Sequence, residues 1–340
     1  MKTGWTPKRV TAATLAAVAV VAAPIVGLLL TSPGQHPAAS PSPSPSPSGY
    51  PSPRPALAAP LFSPFTGEPV TSLGPVLAVK IDNIVYARPQ TGLGAADIVY
   101  VIPVEGGLTR FMAVFSSHIP PVIGPVRSAR EDDLQLLGQF GRPAFAWSGA
   151  QTHLVPRIEH SNIVDLYANI ARGYYRDYRR IAPYNLYASG PALWRQAASA
   201  STAHGIGFLF GPAPAGGQPA AAERVAYASA SYGFTWSPSA KRWLVSIDGR
   251  PGMTTDSGQL SAATVVIQHV RVATSLFLEY GSPPPYAYSV GAGNATVLRD
   301  GMAFQAHWSR PSPKGGTTYT TAGGQPMTFA PGPVWVVLTR

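Results

Sequence analysis

The sequence predicts an α/β domain with a mixed sheet, followed by a mostly-β domain. Three observations predict it. Residues 61–210 alternate strand-like apolar runs with capped helix signals, residues 223–340 carry short apolar runs separated by Asp-Gly turns, and a Gly/Pro-rich segment lies between them. A chain of 340 residues also exceeds what one hydrophobic core usually spans, so two domains are expected.

The N-terminus is predicted to be a membrane segment. Residues 1–9 form a basic tail, and residues 10–30 are uncharged and mostly apolar, which is long enough to cross a bilayer. The basic tail is expected to stay in the cytoplasm, which places the rest of the chain outside. An uncleaved anchor is favoured over a cleaved signal peptide, because the small-residue sites at Ala38 and Ala39 lie well past the apolar stretch.

A Pro/Ser-rich spacer is expected at residues 31–60, where alternating proline favours an extended polyproline conformation. It would hold the folded part away from the membrane. The chain has no cysteine, which excludes disulfides, thiolate metal sites, cysteine nucleophiles and a lipid-modified cysteine.

The first domain, residues 61–210, is predicted to mix strands with two helices. The first helix begins near Ala129, where Ser128 and Glu131 form a capping-box pair, and it stops at Gly141. The second follows Ser189, with a proline in its first turn. The predicted strands are 76–81, 97–102, 110–115 and 144–147.

The second domain follows a linker at residues 211–222 and is predicted to be mostly β. Asp248-Gly249 and Asp300-Gly301 lie between apolar runs, which is a strong hairpin signal. The predicted strands are 225–232, 243–247, 264–268, 296–299 and 335–338.

The charge of the folded part is mildly basic. Residues 61–340 hold 21 basic and 15 acidic groups, because four basic and no acidic residues precede them. This excess permits a phosphate-bearing partner. Nucleic acid is not expected as a partner, because the sequence has neither a clustered basic stripe nor a recognisable nucleic-acid-binding module.

Several multi-residue motifs occur in a specific order along the folded part. They are Phe65-Thr-Gly-Glu-Pro, Lys80-Ile-Asp-Asn, Ala87-Arg-Pro-Gln-Thr-Gly-Leu, Ala96-Asp-Ile-Val-Tyr, Val104-Glu-Gly-Gly-Leu-Thr-Arg-Phe, Ile123-Gly-Pro-Val-Arg-Ser-Ala-Arg and Ala182-Pro-Tyr-Asn-Leu-Tyr, followed by 291–293, 300–301, 307–310 and 332–337. Through them the chain resembles the YerB-like family of bacterial lipoproteins over residues 61–340. The resemblance implies an envelope location and a two-domain build, and it implies no reaction.

The chain departs from this family in two respects. The lipid-attachment cysteine is absent, so the resemblance implies that a transmembrane anchor takes its place. Tyr184 also stands where a histidine is expected in the Ala-Pro-His-Asn stretch, which weakens any role of that position as a general base.

Arg127, Ser128 and Arg130 form one candidate ligand site. A helix N-terminus offers free N–H groups and the positive end of the helix dipole, and so binds anions. Arg130 would lie at the end of the helix that disfavours cations, which makes sense if an external phosphate or diphosphate docks there. Alternatively, the three acidic residues that follow neutralise it locally.

A second candidate group falls at predicted strand ends, where ligands of α/β sheets gather. Carboxylates and arginines together suit a magnesium-bridged diphosphate, so Mg²⁺ is the cofactor considered. The alternative is turn chemistry, in which these side chains bond the local backbone. The candidate residues are Asp82, Asn83, Arg88, Asp97, Glu105, Arg110 and, from the Ala-Pro-Tyr-Asn stretch, Asn185.

Three further patterns carry less weight. The tract at residues 172–180 mixes arginines with tyrosines, which suits sugars or phosphates but also an ordinary solvated loop. Ser148 lacks the glycines of a nucleophile elbow. His153 and His160 with Glu159 give only a faint indication of zinc.

The leading hypothesis is therefore a membrane-anchored extracytoplasmic envelope protein that binds a phosphate-bearing surface ligand through an arginine-rich cleft. One alternative is an enzyme acting on phosphorylated envelope glycopolymers, similar in layout and residue type to the LytR-CpsA-Psr ligases. The other is a structural protein-interaction module. The sequence leaves the oligomeric state open.

Overall fold

One mixed sheet runs through both halves of the chain. The computed structural model describes residues 60–278 and 283–340. The predicted membrane segment lies outside the described residues, as does the predicted spacer apart from Pro60. None of the helices in the described ranges is long and apolar enough to span a membrane.

The N-terminal half contains ten strands and three short α-helices among the described residues. The strands are β1 (Leu61–Phe62), β2 (Pro69–Val70), β3 (Leu77–Asp82), β4 (Ile98–Pro103), β5 (Thr109–Phe115), β6 (Val122–Ile123), β7 (Ala144–Trp147), β8 (Val164–Tyr167), β9 (Tyr174–Arg176) and β10 (Leu186–Ser189). The helices are α1 (Glu131–Leu137), α2 (Val155–Glu159) and α3 (Gly190–Gln196). Short 3-10 helices occupy Val85–Ala87, Leu93–Ala95, Glu105–Gly107, Gly138–Phe140 and Ala197–Ser199.

The described residues of the C-terminal half form strands without an α-helix. They are β11 (Gln218–Pro219), β12 (Ala222–Ala226), β13 (Ser231–Ser237), β14 (Arg242–Ile247), β15 (Arg250–Pro251), β16 (Met253–Thr254), β17 (Gly258–Gln259), β18 (Ser261–Ala262), β19 (Thr264–His269), β20 (Val272–Thr274), β21 (Pro285–Ala287), β22 (Gly291–Arg299), β23 (Met302–Arg310), β24 (Thr318–Thr321) and β25 (Val334–Thr339). This confirms the predicted fold class, an α/β N-terminal part followed by a mostly-β part.

The central strands are buried on both faces because each face of the sheet carries its own core. In β5, Phe111 and Ala113 point into one core, while Met112 and Val114 point into the other. Helix α1 packs on the face that carries Met112 and Val114. Helix α3 packs on the opposite face, together with a smaller sheet built on β12, β13 and β14. The uninterrupted apolar runs in the sequence are the signature of strands covered on both sides.

The two halves join at the centre of the sheet. The strand order is β11-β23-β22-β19-β25-β4-β5-β3-β7-β8, with β24 added to β23. The junction is the parallel pair of β25 and β4, in which Val334 lies opposite Ile98 and Val337 lies opposite Val101. The last strand of the chain is therefore built into the middle of the fold.

Most predicted elements are confirmed to within a residue or two. The four N-terminal strands correspond to β3, β4, β5 and β7, and the helix after Ser189 is α3, whose first turn is capped by the Ser189 hydroxyl. The turns at Asp248-Gly249 and Asp300-Gly301 connect antiparallel strands, and all four residues have φ between 50° and 74°, as such turns require.

Two predictions are wrong. Helix α1 begins at Glu131 with Arg130 as its N-cap, so Ser128 and Glu131 do not form the capping box. Instead the Arg130 backbone N–H donates to Asp133 Oδ2 at 2.7 Å. The strand expected at 225–232 is divided between β12 and β13, because the chain turns at Tyr227, whose N–H donates to the carbonyl of Ala230.

Candidate functional site

Five charged side chains meet at the end of β3, and we refer to them as the charge cluster. Asp82 closes β3 and lies opposite Arg110, which is the second residue of β5. Glu105 lies in the 3-10 turn that joins β4 to β5. Arg127 and Arg130 come from the extended segment that leads into α1. The structure therefore brings together five of the ten residues predicted to bind a ligand.

The carboxylates of the charge cluster are shared among its arginines. Asp82 Oδ2 accepts from Arg127 Nε at 2.8 Å, and its Oδ1 lies 3.9 Å from Arg110 Nε. Glu105 forms a two-point pair with the Nε and Nη2 of Arg130, and its Oε1 lies 3.8 Å from Arg110 Nη2. Arg110 also donates to the Ser128 carbonyl at 2.8 Å.

Three arginines facing two carboxylates leave the charge cluster with one excess positive charge. Burial and the like charge of Arg130 lower the pKa of Arg110 to about 10, although Asp82 and Glu105 oppose this. Burial alone would raise the pKa of Glu105, but the hydrogen bond and charge of Arg130, with the charge of Arg110, lower it to about 2. Glu105 is therefore ionised at neutral pH.

Of the three arginines, Arg127 has the most solvent-exposed side chain. The side chains of Arg110 and Arg130 are 8% and 3% exposed, whereas that of Arg127 is 19% exposed. The Arg127 guanidinium lies over the ring of Tyr184, 5.7 Å from its centroid, and Tyr184 in turn stacks on Tyr86 at 5.8 Å. Tyr184, where the family resemblance implied a histidine, therefore supports Arg127.

A surface rich in tyrosine and arginine adjoins Arg127. We call it the Tyr/Arg face, and it consists of Tyr86, Tyr175, Tyr178, Arg179 and Arg180, of which the first four are exposed. Four of the five come from the tract at residues 172–180. From the sequence, this tract could either bind sugars or phosphates or form an ordinary solvated loop. The structure fixes this tract against the loop at Val85–Ala87.

A buried ion pair lies directly behind the charge cluster. Lys80 Nζ, on the central strand β3, is paired with Asp133 Oδ1 at 2.5 Å, and both side chains are fully buried. The neighbouring Asp132 is buried as well and accepts from the Ala287 N–H at 3.1 Å. Sequence reasoning missed Lys80 as a structural charge, although a single lysine inside an apolar strand requires a partner.

Asn83 and Arg88, both predicted to bind ligand, are committed to internal contacts. The Asn83 amide donates to Thr109 Oγ1 and to Tyr232 Oη, which ties the two halves together. Arg88 donates to the Asn83 carbonyl and to Asp248 Oδ2, the latter at 2.7 Å.

Three other predicted residues lie apart from the carboxylates of the charge cluster. Asp97 precedes β4 at the opposite end of the sheet, where its Oδ2 accepts from the N–H groups of Ser116 and Ser117 and where burial raises its pKa. Asn185 is buried and accepts from Arg176. Ser128 contributes its backbone carbonyl to Arg110.

The N-terminus of α1 is occupied by the chain's own carboxylates. Asp133 accepts from the backbone of Arg130, and Glu131 accepts from the Ser275 hydroxyl and the Leu276 N–H. Across residues 60–278 and 283–340, no three His, Asp or Glu side chains converge as metal ligands. Ser148 donates to the carbonyl of Val126.

Comparisons with known proteins agree with this architecture. Two family models match, "Protein of unknown function (DUF3048) N-terminal domain" over residues 65–203 and the corresponding C-terminal domain over residues 223–336. The curated protein named "Putative lipoprotein YerB", from Bacillus subtilis (strain 168), is 49% identical over 84 residues, which is 25% of this chain and 25% of the relative. The match thus spans about a quarter of that relative's length.

The fold also matches a solved structure. The crystal structure of the YerB protein from Bacillus subtilis superposes with a TM-score of 0.70 at 23% identity, covering 82% of this chain and 96% of that one. At this identity the likeness concerns the fold. Together with the two domain matches, it confirms the resemblance inferred from the motifs. The chain belongs to the DUF3048 family and carries both of its domains.

Proposed function

We propose that the protein acts outside the cytoplasmic membrane, held there by its N-terminal segment, and binds an anionic envelope ligand at Arg127. The location is supported by the basic tail and apolar segment in the sequence and by the lipoprotein name of the Bacillus relative. Without a cysteine, this chain needs an anchor other than a lipid-modified cysteine.

The observation that carries the binding proposal is the position of Arg127. Its side chain is the most exposed of the three arginines of the charge cluster, at 19%, and the five charged residues of the cluster include one more cation than anions. Asp82 and the Tyr184 ring fix the guanidinium in place, so little side-chain entropy is lost when it engages a phosphate or carboxylate.

Arg110 and Arg130 serve a different purpose. Both are buried and paired with Glu105, so they hold the turn between β4 and β5 against the start of α1. Removing Arg130 would take its two-point partner from the partly buried Glu105, which costs several kcal/mol. An enzyme acting on phosphorylated glycopolymers stays a prediction from the sequence.

The test is thermal unfolding of the full chain, in detergent, with polyphosphate as the anionic probe. Binding to the folded state should raise the melting temperature by several degrees, because a ligand at 100 times its Kd stabilises by about 2.7 kcal/mol. The rise should be lost in Arg127→Gln, which keeps a hydrogen-bonding group beside Asp82.

The matched control is Arg157→Gln. Arg157 also carries a guanidinium over an aromatic ring, 5.0 Å from the Phe277 centroid, and it also faces a carboxylate, Glu131. The control should keep the polyphosphate effect. An equal rise in Arg127→Gln and the unmodified chain would contradict the proposal.

A further inference from the structure

Several exposed large side chains with apolar surface lie on and around the Tyr/Arg face. Tyr178 is 87% exposed, and Val85, Tyr86, Tyr175 and Ile181 are also exposed. Large side chains that stay in water on one contiguous surface mark a binding site more often than chance placement does.

The two segments that form this surface are held together by specific contacts. The Arg180 guanidinium donates to the carbonyls of Ala87 and Pro89, at 3.2 and 2.7 Å, and Tyr86 stacks on Tyr184. The exposed rings therefore lie on a backbone that these contacts already hold in place, so ligand binding loses little conformational entropy in ordering it.

A small polar cavity opens beside these rings. Its volume is about 220 Å³, and its lining includes Thr91, Tyr175, Asp177, Arg179, Arg180 and Thr255. This is below the range of about 300–1,000 Å³ that is usual for drug-sized ligands, so the cavity suits one ring-sized unit. Hydroxyl, carboxylate and guanidinium groups around a tyrosine ring suit a polyhydroxylated ring with apolar faces, which is the chemistry of a sugar.

The charge of this region defines the ligand further. Residues 172–180 contain four arginines and one aspartate, and that aspartate is engaged in a two-point pair with Arg179. A neutral glycan would not neutralise this positive charge. Phosphate or carboxylate groups along a sugar chain could instead accept bidentate hydrogen bonds from the arginine guanidinium groups.

We propose that the Tyr/Arg face binds an acidic glycan, with one sugar ring in the 220 Å³ cavity and the neighbouring rings on Tyr178 and Tyr86. This rests on the proposed function, because the glycan is the anionic ligand whose charge Arg127 meets. A bilayer surface is the competing occupant. The sequence favours the glycan, since residues 31–60 are predicted to be a Pro/Ser-rich spacer, and a polyproline conformation at about 3.1 Å per residue would then hold the folded part on the order of 90 Å from the membrane.

The experiment compares four probes by equilibrium binding to the full chain in phosphatidylcholine nanodiscs. They are alginate as an acidic glycan, dextran as a neutral glycan, polyphosphate as a polyanion without sugar, and phosphatidylglycerol vesicles as a lipid competitor. We expect alginate to bind at least tenfold more tightly than dextran or polyphosphate, and lipid vesicles not to displace it.

The variants separate the sugar contacts from the anion contact. Tyr178→Ser and Tyr175→Ser should weaken alginate binding at least tenfold and change polyphosphate binding less than twofold. Leu276→Ser, which removes an apolar side chain that is 79% exposed elsewhere on the surface, should change neither.

Each other outcome overturns a defined part of the proposal. Equal affinity for alginate and polyphosphate, or an equal effect of the tyrosine variants on both, would leave the anion site at Arg127 and refute the glycan. Displacement by phosphatidylglycerol vesicles would assign the face to the bilayer. Absence of binding to any probe, polyphosphate included, would refute the proposed function as well.

Discussion

At the scale of single residues, Asp133 connects the buried charge of the sheet to the charge cluster. Its Oδ1 pairs with Lys80 and its Oδ2 accepts from the Arg130 backbone, so one carboxylate neutralises a buried lysine and caps α1. Its neighbour Asp132 is buried as well and accepts from the Ala287 N–H. Burial and the negative charge of Asp133 raise the pKa of Asp132 from 3.8 to about 7.

The raised pKa of Asp132 gives a pH dependence with a defined sign. The folded state holds this proton more tightly than the unfolded chain, so the stabilisation is complete below pH 3.8 and is lost as pH rises through about 7. We expect the free energy of unfolding to fall between pH 4 and 7 by a few kcal/mol, at about 1.4 kcal/mol per pKa unit, and Asp132→Asn to remove most of that fall. Urea unfolding at several pH values measures this.

Glu105 contributes with the opposite sign. Its pKa is lowered from 4.5 to about 2, so its stabilisation is present above pH 4.5 and is lost as pH falls through 2. The two effects together place the stability maximum on the acidic side of neutrality. A pH profile of Asp132→Asn that is parallel to that of the unmodified chain between pH 4 and 7 would show that Asp132 is ionised throughout.

The sequence could predict which residue types would cluster but not every member of the cluster. Asp82 ends β3, Glu105 lies in the turn after β4, and Arg110 is near the start of β5, so all three lie at the same end of the sheet. Asp97 was grouped with them because it also lies at a strand end. Strands β3 and β4 run in the same direction on either side of β5. Asp82 ends β3 whereas Asp97 precedes β4, so the two carboxylates lie at opposite ends of the sheet, and this pairing becomes known only from the structure.

At the scale of elements, the start of α1 was misplaced because tertiary hydrogen bonds extend the preceding backbone. The Arg127 N–H donates to the carbonyl of Lys80, and the Ala129 N–H donates to that of Gly149. Residues held in this way cannot enter the helix, so a good local capping signal at Ser128 is overridden. The same extended segment positions Arg127 beside Asp82.

The division between β12 and β13 has a similar cause. The Ser229 N–H donates to the carbonyl of Gly107, in the turn that carries Glu105. A long-range contact therefore stabilises a turn that local apolar periodicity predicts as continuous strand. By contrast, the Asp-Gly turns were predictable, since their requirement for positive φ is local.

At the scale of the whole molecule, the shared sheet couples the two halves. Trp335 of β25 is buried and packs edge-on against Phe111 and Phe234, which come from opposite halves of the chain. Apolar composition predicted a strand here, but no local signal could reveal that the last strand pairs with β4, more than 230 residues earlier.

This coupling predicts cooperative unfolding of residues 60–340. Trp335→Ala should cost about 3–5 kcal/mol and should shift one common transition seen by both calorimetry and tyrosine fluorescence. Two separate transitions, of which the substitution moves only one, would show that the halves unfold independently despite the shared sheet.

The most direct test of the anion site is a titration with polyphosphate followed through the Nε–H resonances of the arginines. The partly exposed position of Arg127 predicts that its resonance shifts in a saturable way, while those of the buried Arg110 and Arg130 stay within the range of distant arginines such as Arg157. An unchanged Arg127 resonance at saturating polyphosphate, or a uniform shift of all four, would contradict a ligand site at Arg127.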